Sequence, residues 1–304
     1  MNQAAPPLQA TPVQTNVKHK LRHRAEAALA RVVFGLVRHL PFDAVSAFGG
    51  RLGRVIGPLT GAHRTARHNL ALALPELDEG ARAQILANAW DNFGRAMFEY
   101  ALLSQLAGTP ERIVVEGEEA LAALAREGRA AVLFCAHLGN WEIIPMALAR
   151  GGKPLTIVYR PPNNPLVDEI IGEVRKPSTA GMAPKNTAGA RIMLKALGSG
   201  EHLILVVDQK INTGMEIPFF GRGAFTGDAV ARLAMRFDCP VFPVRTERLD
   251  EGRFKVTVEE PWKFPAEGTD DDVRAALTRI NRRLEDWIRA RPGQWLWMHK
   301  RWPK

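Results

Sequence analysis

The stretch that decides the fold reads Ala131-Val-Leu-Phe-Cys-Ala-His-Leu-Gly-Asn-Trp-Glu-Ile-Ile144. Residues 130–135 form a short apolar run, which predicts a buried strand. Asn140 can cap a helix that follows directly, over residues 140–149. Functional groups in parallel α/β sheets collect beyond the carboxyl ends of the strands. His137 stands at such a position and is therefore the first candidate site residue.

Strands and helices alternate along the chain from residue 112 onward. Further strands are predicted at residues 113–115, 155–159, 202–207, 241–245 and 254–258. Helices are predicted at residues 140–149, 165–175, 188–197, 227–237 and 273–288, and a loop of about twenty residues is expected before Thr226. This alternation predicts an α/β fold with a mostly parallel central sheet flanked by helices.

The composition is that of a folded globular chain. The 304 residues are 46% apolar and 24% charged, which excludes wholesale disorder and low-complexity fibres. Two cysteines, Cys135 and Cys239, exclude a disulfide scaffold and fit a reducing compartment. The net charge of +9 favours a polyanionic partner. No run of about 18 apolar residues is present, so an ordinary membrane-spanning helix is not expected.

Residues 1–62 are interpreted as a tail followed by a membrane-associating segment. We expect residues 1–20 to be disordered, residues 21–62 to form the helical segment, and residues 63–304 to form the α/β domain. Apolar residues recur at helical spacing between residues 25 and 40, namely Leu29, Val32, Val33, Leu36 and Leu40. Three cations at a spacing of seven share one face, here called the arginine stripe: Arg24, Arg31 and Arg38. This amphipathic pattern is typical of a membrane interface, and also of a surface helix packed on the core.

Glycines recur at every fourth position after this helix, at Gly49, Gly53, Gly57 and Gly61. Small residues at that spacing line one helix face and allow a second helix to approach closely. A glycine-rich hairpin between two helices and a membrane-inserted segment both fit the pattern. Residues 64–106 are predicted to be helical in two pieces.

His137 and Glu142 suggest acid–base chemistry at the end of the strand. A carboxylate bonded to one imidazole nitrogen fixes the tautomer and raises the basicity of the other nitrogen. We expect Glu142 to lie in the first helical turn, where the dipole favours its anionic form, and to reach back to His137. That pair could take a proton from a hydroxyl group without a serine or cysteine nucleophile. The His-x4-Glu spacing alone is a weak signal, because chance matches are common.

The motif His137-Leu-Gly-Asn-Trp-Glu142 resembles the His-x4-Asp/Glu motif of glycerolipid acyltransferases, and more narrowly that of the lipid A biosynthesis acyltransferase family. Supporting blocks follow in the family's order: Arg67-His-Asn-Leu70, Tyr159-Arg-Pro-Pro-Asn-Asn-Pro165, Val207-Asp-Gln-Lys210, Pro218-Phe-Phe-Gly221 and Gln294-Trp-Leu-Trp-Met-His-Lys-Arg301. Together they cover roughly residues 20–304. The joint match is far more specific than any single block.

The resemblance implies acyl transfer from an acyl carrier protein thioester to a hydroxyl of a lipid A precursor, without a cofactor, a metal or a covalent acyl-enzyme. His137 would be the general base and Glu142 its orienting partner. Four residues are assigned to substrate binding: Arg175, Asp208, Arg160 and Lys210. A salt bridge stays open for Arg175, and support of the site loop through backbone hydrogen bonds stays open for Asp208.

The implied partners are acyl carrier protein, the lipid A precursor and an anionic membrane surface. The implied location is the cytoplasmic face of the bacterial inner membrane. Near the end of the sequence, Trp295, Trp297 and Trp302 accompany Lys300 and Arg301. Such groups fit a membrane interface, or packing of the terminal segment over the core.

Three alternatives stay open at this stage. The same transfer could use another acceptor lipid, such as a lysophospholipid or a glycosylated phosphatidylinositol. A cysteine hydrolase could use Cys135 with His137, since residues two apart on a strand face the same way, although a buried cysteine is usually an inert packing residue. A non-catalytic binder of nucleic acid fits the charge, but the sequence has no nucleic-acid-binding motif of the common kinds, and no such partner is expected.

Overall fold

The computed structural model describes residues 17–149, 155–176, 179 and 181–303. Most of the predicted tail over residues 1–20 lies outside the described residues. The strands within them are β1 (Ile113–Glu116), β2 (Ala131–Cys135), β3 (Leu155–Tyr159), β4 (Gly181–Pro184), β5 (His202–Val206), β6 (Met215–Phe219), β7 (Arg222–Thr226), β8 (Val241–Arg248) and β9 (Phe254–Val258). The described helices are α1 (Val17–Val37), α2 (Phe42–Ile56), α3 (Gly61–Ala73), α4 (Glu79–Glu99), α5 (Leu103–Ala107), α6 (Glu119–Arg126), α7 (Ile143–Ala149), α8 (Pro165–Arg175), α9 (Thr187–Gly198), α10 (Ala229–Arg236) and α11 (Asp270–Ala290).

A seven-stranded sheet lies at the centre, in the order β1-β9-β8-β2-β5-β3-β4. Strands β8, β2, β5, β3 and β4 are parallel, whereas β9 is antiparallel to β8 and carries β1 in its own direction. The predicted α/β fold with a mostly parallel sheet is therefore confirmed. All five residues of β2 are buried, as expected for a strand covered on both faces.

The loop of about twenty residues expected before Thr226 is wrong, because an antiparallel hairpin of β6 and β7 lies there. Phe219 pairs with Arg222, so Phe220 and Gly221 form a two-residue turn. Both turn residues have positive φ, +50° and +70°. Two-residue hairpin turns need this conformation, because its twist matches that of the flanking strands. Pro218 and Gly223 interrupt the alternating pattern of these strands, which is why the sequence favours a loop.

The glycine spacing in α2 serves packing inside the protein. A Cβ on Gly53 would lie 2.2 Å from the carbonyl oxygen of Trp90, and one on Gly94 would lie 2.1 Å from that of Gly49. Helices α2 and α4 thus meet backbone to backbone, which only glycine allows. Gly49 and Gly53 lie inside α2, so the interpretation as a hairpin between two helices is wrong for them. The close helix approach that the spacing allows takes place here within the protein. Helix α2, from the segment over residues 21–62, therefore packs closely on α4, from the segment over residues 63–304.

Helix α1 begins earlier than expected and has three distinct sides. Ala27 is buried, and Phe34 and Val37 pack against the core. The side-chain amide of Asn164 donates to the backbone oxygen of His23 and to Glu26, at 2.9 Å each. A second side, here called the exposed apolar face, consists of Leu29, Val32, Val33, Leu36 and Leu40. Since residues turn by about 100° each, the arginine stripe forms the third side, roughly opposite the exposed apolar face. Among the described helices, none is both long and apolar enough to cross a membrane.

Candidate active site

His137 follows β2 in a turn that demands glycine two residues later. Gly139 has a φ of +57°, and a Cβ there would lie 2.8 Å from the backbone oxygen of Thr246. The amide of Gly139 donates to the carbonyl of Gln294 at 3.0 Å, and the amide of Leu296 donates to the carbonyl of His137 at 3.1 Å. The turn after β2 is therefore fixed on both sides of the histidine.

The sheet register brings His137 and Asp208 together. Cys135 of β2 pairs with Val206 of β5, so the residues two positions further on leave the sheet side by side. The Nδ1 atom of His137 lies 2.7 Å from Oδ1 of Asp208, and the His137 amide donates to Oδ2 at 2.9 Å. The imidazole keeps 16% exposure and the carboxylate none. With Nδ1–H donating to the carboxylate, Nε2 is left as the basic nitrogen.

The Asp208 carboxylate is completed by the indole of Trp295, which donates to Oδ2 at 2.7 Å. Complete burial on its own would raise the pKa of Asp208. The charge and hydrogen bonds of His137, with a contribution from His299, outweigh burial and hold that pKa well below its usual range. Asp208 is therefore an anion at neutral pH.

The expected contact between Glu142 and His137 is wrong. Helix α7 begins only at Ile143, so Glu142 lies in the preceding turn and its carboxylate is directed toward α8. Arg175 binds it with two bonds, Nη2 to Oε1 at 2.6 Å and Nε to Oε2 at 2.9 Å. The two side chains keep only 13% and 10% exposure, so this is a nearly buried ion pair. The salt-bridge alternative for Arg175 is the one the structure has.

Trp141 connects the Glu142–Arg175 pair with the histidine. Its indole donates to Oε1 of Glu142 at 3.0 Å. Its ring packs edge-on against the His137 imidazole, with 4.7 Å between the ring centroids. The imidazole is thus held by a carboxylate through Nδ1 and by an indole ring against its plane. Glu142 is connected to His137 through Trp141 and does not contact it directly.

A cavity of about 280 Å³ opens beside this histidine. Much of its wall is apolar, and its lining also includes the ion pair and two further cations, Arg160 and Lys185. Burial, together with Asp208 and Glu142, raises the pKa of the Cys135 thiol in this wall well above its usual value. That thiol stays protonated, which argues against the cysteine hydrolase alternative.

The predicted substrate-binding residues are only partly brought together. Arg160 and Arg175 line the cavity, whereas the ammonium of Lys210 lies over the ring of Phe225, 5.7 Å from its centroid, and is not part of the lining. Sequence reasoning missed Lys185. It follows the short strand β4, which the sequence does not predict, so no signal placed it at a strand end.

A second missed group supports the turn from below. Glu99 is completely buried and accepts two bonds from Arg248, at 2.5 and 2.9 Å. The amide of Asn140 donates to the same carboxylate at 2.8 Å. The amide of Asn92 donates to the carbonyl of Gly139 at 2.9 Å. The turn that carries His137 therefore rests on a buried polar network from α4 and β8.

The tryptophans near the end of the sequence pack into the core. Trp295, Trp297 and Trp302 have exposures of 1%, 0% and 7%, and Arg301 is completely buried. The guanidinium of Arg301 donates to the backbone oxygen of Phe225 at 2.9 Å. The packing alternative holds for this segment, and the membrane-interface expectation for its tryptophans is wrong.

A carboxylate-held histidine that faces a partly apolar cavity can remove a proton from a hydroxyl that attacks an acyl group. The protein is an acyltransferase. Residues 14–304 match the family model described as bacterial lipid A biosynthesis acyltransferase. The chain belongs to this family.

Several curated proteins are similar to the chain over most of its length. The lipid A biosynthesis acyltransferase of Haemophilus influenzae is 24% identical over 272 residues, which cover 86% of this chain and 83% of that protein. The lipid A biosynthesis palmitoleoyltransferase of Escherichia coli K12 is 26% identical over 280 residues, 86% of each chain. A phosphatidylinositol mannoside acyltransferase of Mycobacterium tuberculosis is 26% identical over 268 residues, 80% of each chain.

Proposed function

We propose that this protein transfers an acyl group from an acyl carrier protein thioester to a hydroxyl of a lipid A precursor, with His137 as general base. The observation that carries the proposal is the bond of 2.7 Å between Nδ1 of His137 and the buried carboxylate of Asp208, beside the cavity. This bond leaves Nε2 free to accept a proton. Asp208, and not Glu142, is the orienting partner in this mechanism.

In the proposed reaction, Nε2 of His137 takes the proton of the acceptor hydroxyl as its oxygen attacks the thioester carbonyl. The new C–O bond gives a tetrahedral oxyanion. Its collapse breaks the C–S bond, and the imidazolium returns the proton to the leaving thiolate. The anionic Asp208 stabilises the imidazolium between these steps. The products are the ester and the free thiol of the carrier, so atoms and charges balance.

The cavity suits the acyl group of the donor. Its apolar lining includes Ile157, Val158, Ile204 and Val206, all from the two central strands β3 and β5. An acyl chain gains about 0.8 kcal/mol for each CH₂ group that it buries. Cys135 in the same wall contributes packing surface, since its protonated thiol is a poor nucleophile.

We infer that α1 holds the enzyme on an anionic bilayer, at the cytoplasmic face of the inner membrane. The support is the exposed apolar face, which has no covering element among the described residues, with the arginine stripe on the roughly opposite face of the same helix. An apolar face with cations on the opposite face is the pattern of helices that lie in a membrane interface. This location brings the site to a lipid acceptor while the acyl carrier protein approaches from the water side.

The test is an assay with purified protein, acyl carrier protein loaded with a fatty acid, and lipid A precursor, followed by mass spectrometry of the lipid. We expect one added acyl group with wild type. His137→Ala should lower the rate by about 10²–10⁴, the usual range for a positioned base. A folded His137→Ala variant with turnover within a few-fold of wild type would rule out this mechanism. Product from phosphatidylinositol mannoside or a lysophospholipid, and none from lipid A precursor, would favour the other acceptors.

A further inference from the structure

We propose that Lys185 and Arg160 form a phosphate subsite at the mouth of the cavity. The subsite would take a phosphate monoester or diester of a substrate and set that substrate's position relative to His137. The choice of substrate rests on the proposed acyl transfer, whereas the binding of phosphate does not. Lys185 lies outside the motifs quoted in the sequence analysis.

The sheet register places the two cations next to each other. Tyr159 of β3 pairs with Pro184 of β4, and the amide of Lys185 donates to the carbonyl of Tyr159 at 2.8 Å. Arg160 and Lys185 therefore leave adjacent parallel strands at their carboxyl ends, the edge that also carries His137. Both side chains line the cavity, and both are exposed to solvent.

The carboxylates that line or adjoin the cavity are engaged by other groups. Arg175 is neutralised by Glu142, and Asp208 is engaged by His137. Within the described part of the chain, neither Arg160 nor Lys185 forms an ion pair.

Two like charges on neighbouring strand ends repel each other, and a bound anion turns that repulsion into attraction. Confinement by the cavity walls and the charge of Arg160 lower the pKa of Lys185, although Asp208 opposes this shift. An anion with several oxygens could contact both cations and offset the repulsion between them.

Phosphate fits the pair better than a carboxylate would. A guanidinium offers a planar fork of donors and an ammonium adds a compact point charge, and the three oxygens of a phosphate monoester can satisfy both. Two phosphates can reach this mouth in the proposed reaction. One belongs to the acceptor lipid, and the other is the phosphodiester of the prosthetic arm that carries the thioester.

The first experiment measures binding without turnover. Wild-type protein is titrated calorimetrically with hexyl phosphate and, separately, with 1-hexanol, so that the phosphate is the only difference between the probes. We expect Lys185→Met and Arg160→Met each to weaken hexyl phosphate binding about tenfold, the loss of one charge-assisted contact, with 1-hexanol unchanged. Lys263→Met is the matched control. Lys263 is exposed and follows Trp262, which bridges Val241 at the amino end of β8, the opposite edge of the sheet.

Equal hexyl phosphate affinity in wild type and in the Lys185→Met/Arg160→Met double variant would overturn the proposal. So would a matching loss in Lys263→Met, since the effect would then be one of net charge. Because this titration needs no acyl transfer, it still decides the subsite if the proposed function fails.

The second experiment identifies the source of the phosphate. A rise in the KM for phosphorylated acceptor in Lys185→Met, erased when the acceptor is dephosphorylated, supports the lipid phosphate. A rise in the KM for acyl carrier protein thioester, with the acceptor KM unchanged, supports the prosthetic arm. An active Lys185→Met variant with both KM values at the wild-type level would show that the pair does not bind a substrate phosphate.

Discussion

Replacement of Asp208 by asparagine isolates the orienting function of its carboxylate. Two N–H groups, the His137 amide and the Trp295 indole, meet Oδ2, and the Nδ1–H of His137 meets Oδ1. The NH₂ group of an asparagine cannot face the His137 amide and the Trp295 indole, because all of these groups are donors. The asparagine oxygen must therefore occupy the Oδ2 position. Its NH₂ group then donates to Nδ1 of His137. The imidazole proton must move to Nε2, the atom that should accept the hydroxyl proton.

We therefore expect Asp208→Asn to fold and to lose most of its turnover. The corresponding exchange in serine proteases, which also imposes the wrong tautomer, lowers kcat by about 10⁴. Here a loss of about 10³–10⁴ in kcat is expected, which corresponds to about 4–5 kcal/mol in the activation free energy. Steady-state acyl transfer gives kcat, and thermal unfolding reports whether the variant is folded.

Asp286→Asn is the matched control, because Asp286 is a 65% exposed carboxylate on α11 and forms its ion pair with Arg283. The double variant Asp208→Asn/His137→Ala should be no slower than His137→Ala alone, since both changes remove the same base. A folded Asp208→Asn variant with kcat within tenfold of wild type would refute this account of the tautomer.

The remaining predictions concern the ion pair, the thiol, the ammonium and the membrane. Glu142→Gln leaves Arg175 as a nearly buried, uncompensated cation, so it should lower the free energy of unfolding by about 3–5 kcal/mol, measured by urea denaturation. The double variant Glu142→Gln/Arg175→Met should regain much of this loss. Additive losses from the two substitutions would contradict the pairing. Cys135→Ala should keep turnover far above that of His137→Ala, and intact-protein mass spectrometry should detect no acyl adduct in wild type; an adduct lost in Cys135→Ala would restore the thiol mechanism. Because the pKa of Lys185 lies below that of an ordinary lysine, hexyl phosphate binding to wild type should weaken as the pH rises toward 10. Lys185→Arg should keep its hexyl phosphate affinity over the same pH range. Identical pH profiles for wild type and Lys185→Arg would exclude a titrating Lys185. Replacing the arginine stripe by glutamine should weaken binding to anionic vesicles by about 3 kcal/mol, at about 1 kcal/mol for each cation; unchanged co-sedimentation would assign binding to another surface.

The sequence predicts the architecture well because local signals and the fold agree there. Each of the six predicted strands is present, and the helix predicted at residues 165–175 has those bounds. Apolar runs between glycine, proline and cap residues define these elements without help from distant contacts. The hairpin of β6 and β7 and the short strand β4 escape prediction, because Pro218, Gly223, Gly181 and Pro184 are typical of loops.

Four residues of the candidate site are named from the sequence, but the pairing among them is not predicted. His137, Glu142, Arg175 and Asp208 are all identified from sequence, yet the carboxylate on the imidazole comes from β5 and not from the nearby helix. Sequence proximity favours Glu142 as the carboxylate that contacts His137. Closeness in space depends on the register of β2 with β5, which no local pattern contains.

Residues 294–301 are among the last to be synthesised, and they contact the residues that hold the candidate site together. Asn69 binds the backbone oxygens of Trp297 and His299, 228 and 230 residues further along the chain, and the indole of Trp295 completes the Asp208 carboxylate. A nascent chain that has emerged from the ribosome only as far as residue 293 holds both members of the His–Asp pair, but not the groups that lock them. Contacts with such long loops are slow to close and are made late in folding. We therefore expect no acyl transfer from a chain that ends at residue 293, because the contacts that hold Asp208 in place are missing from it.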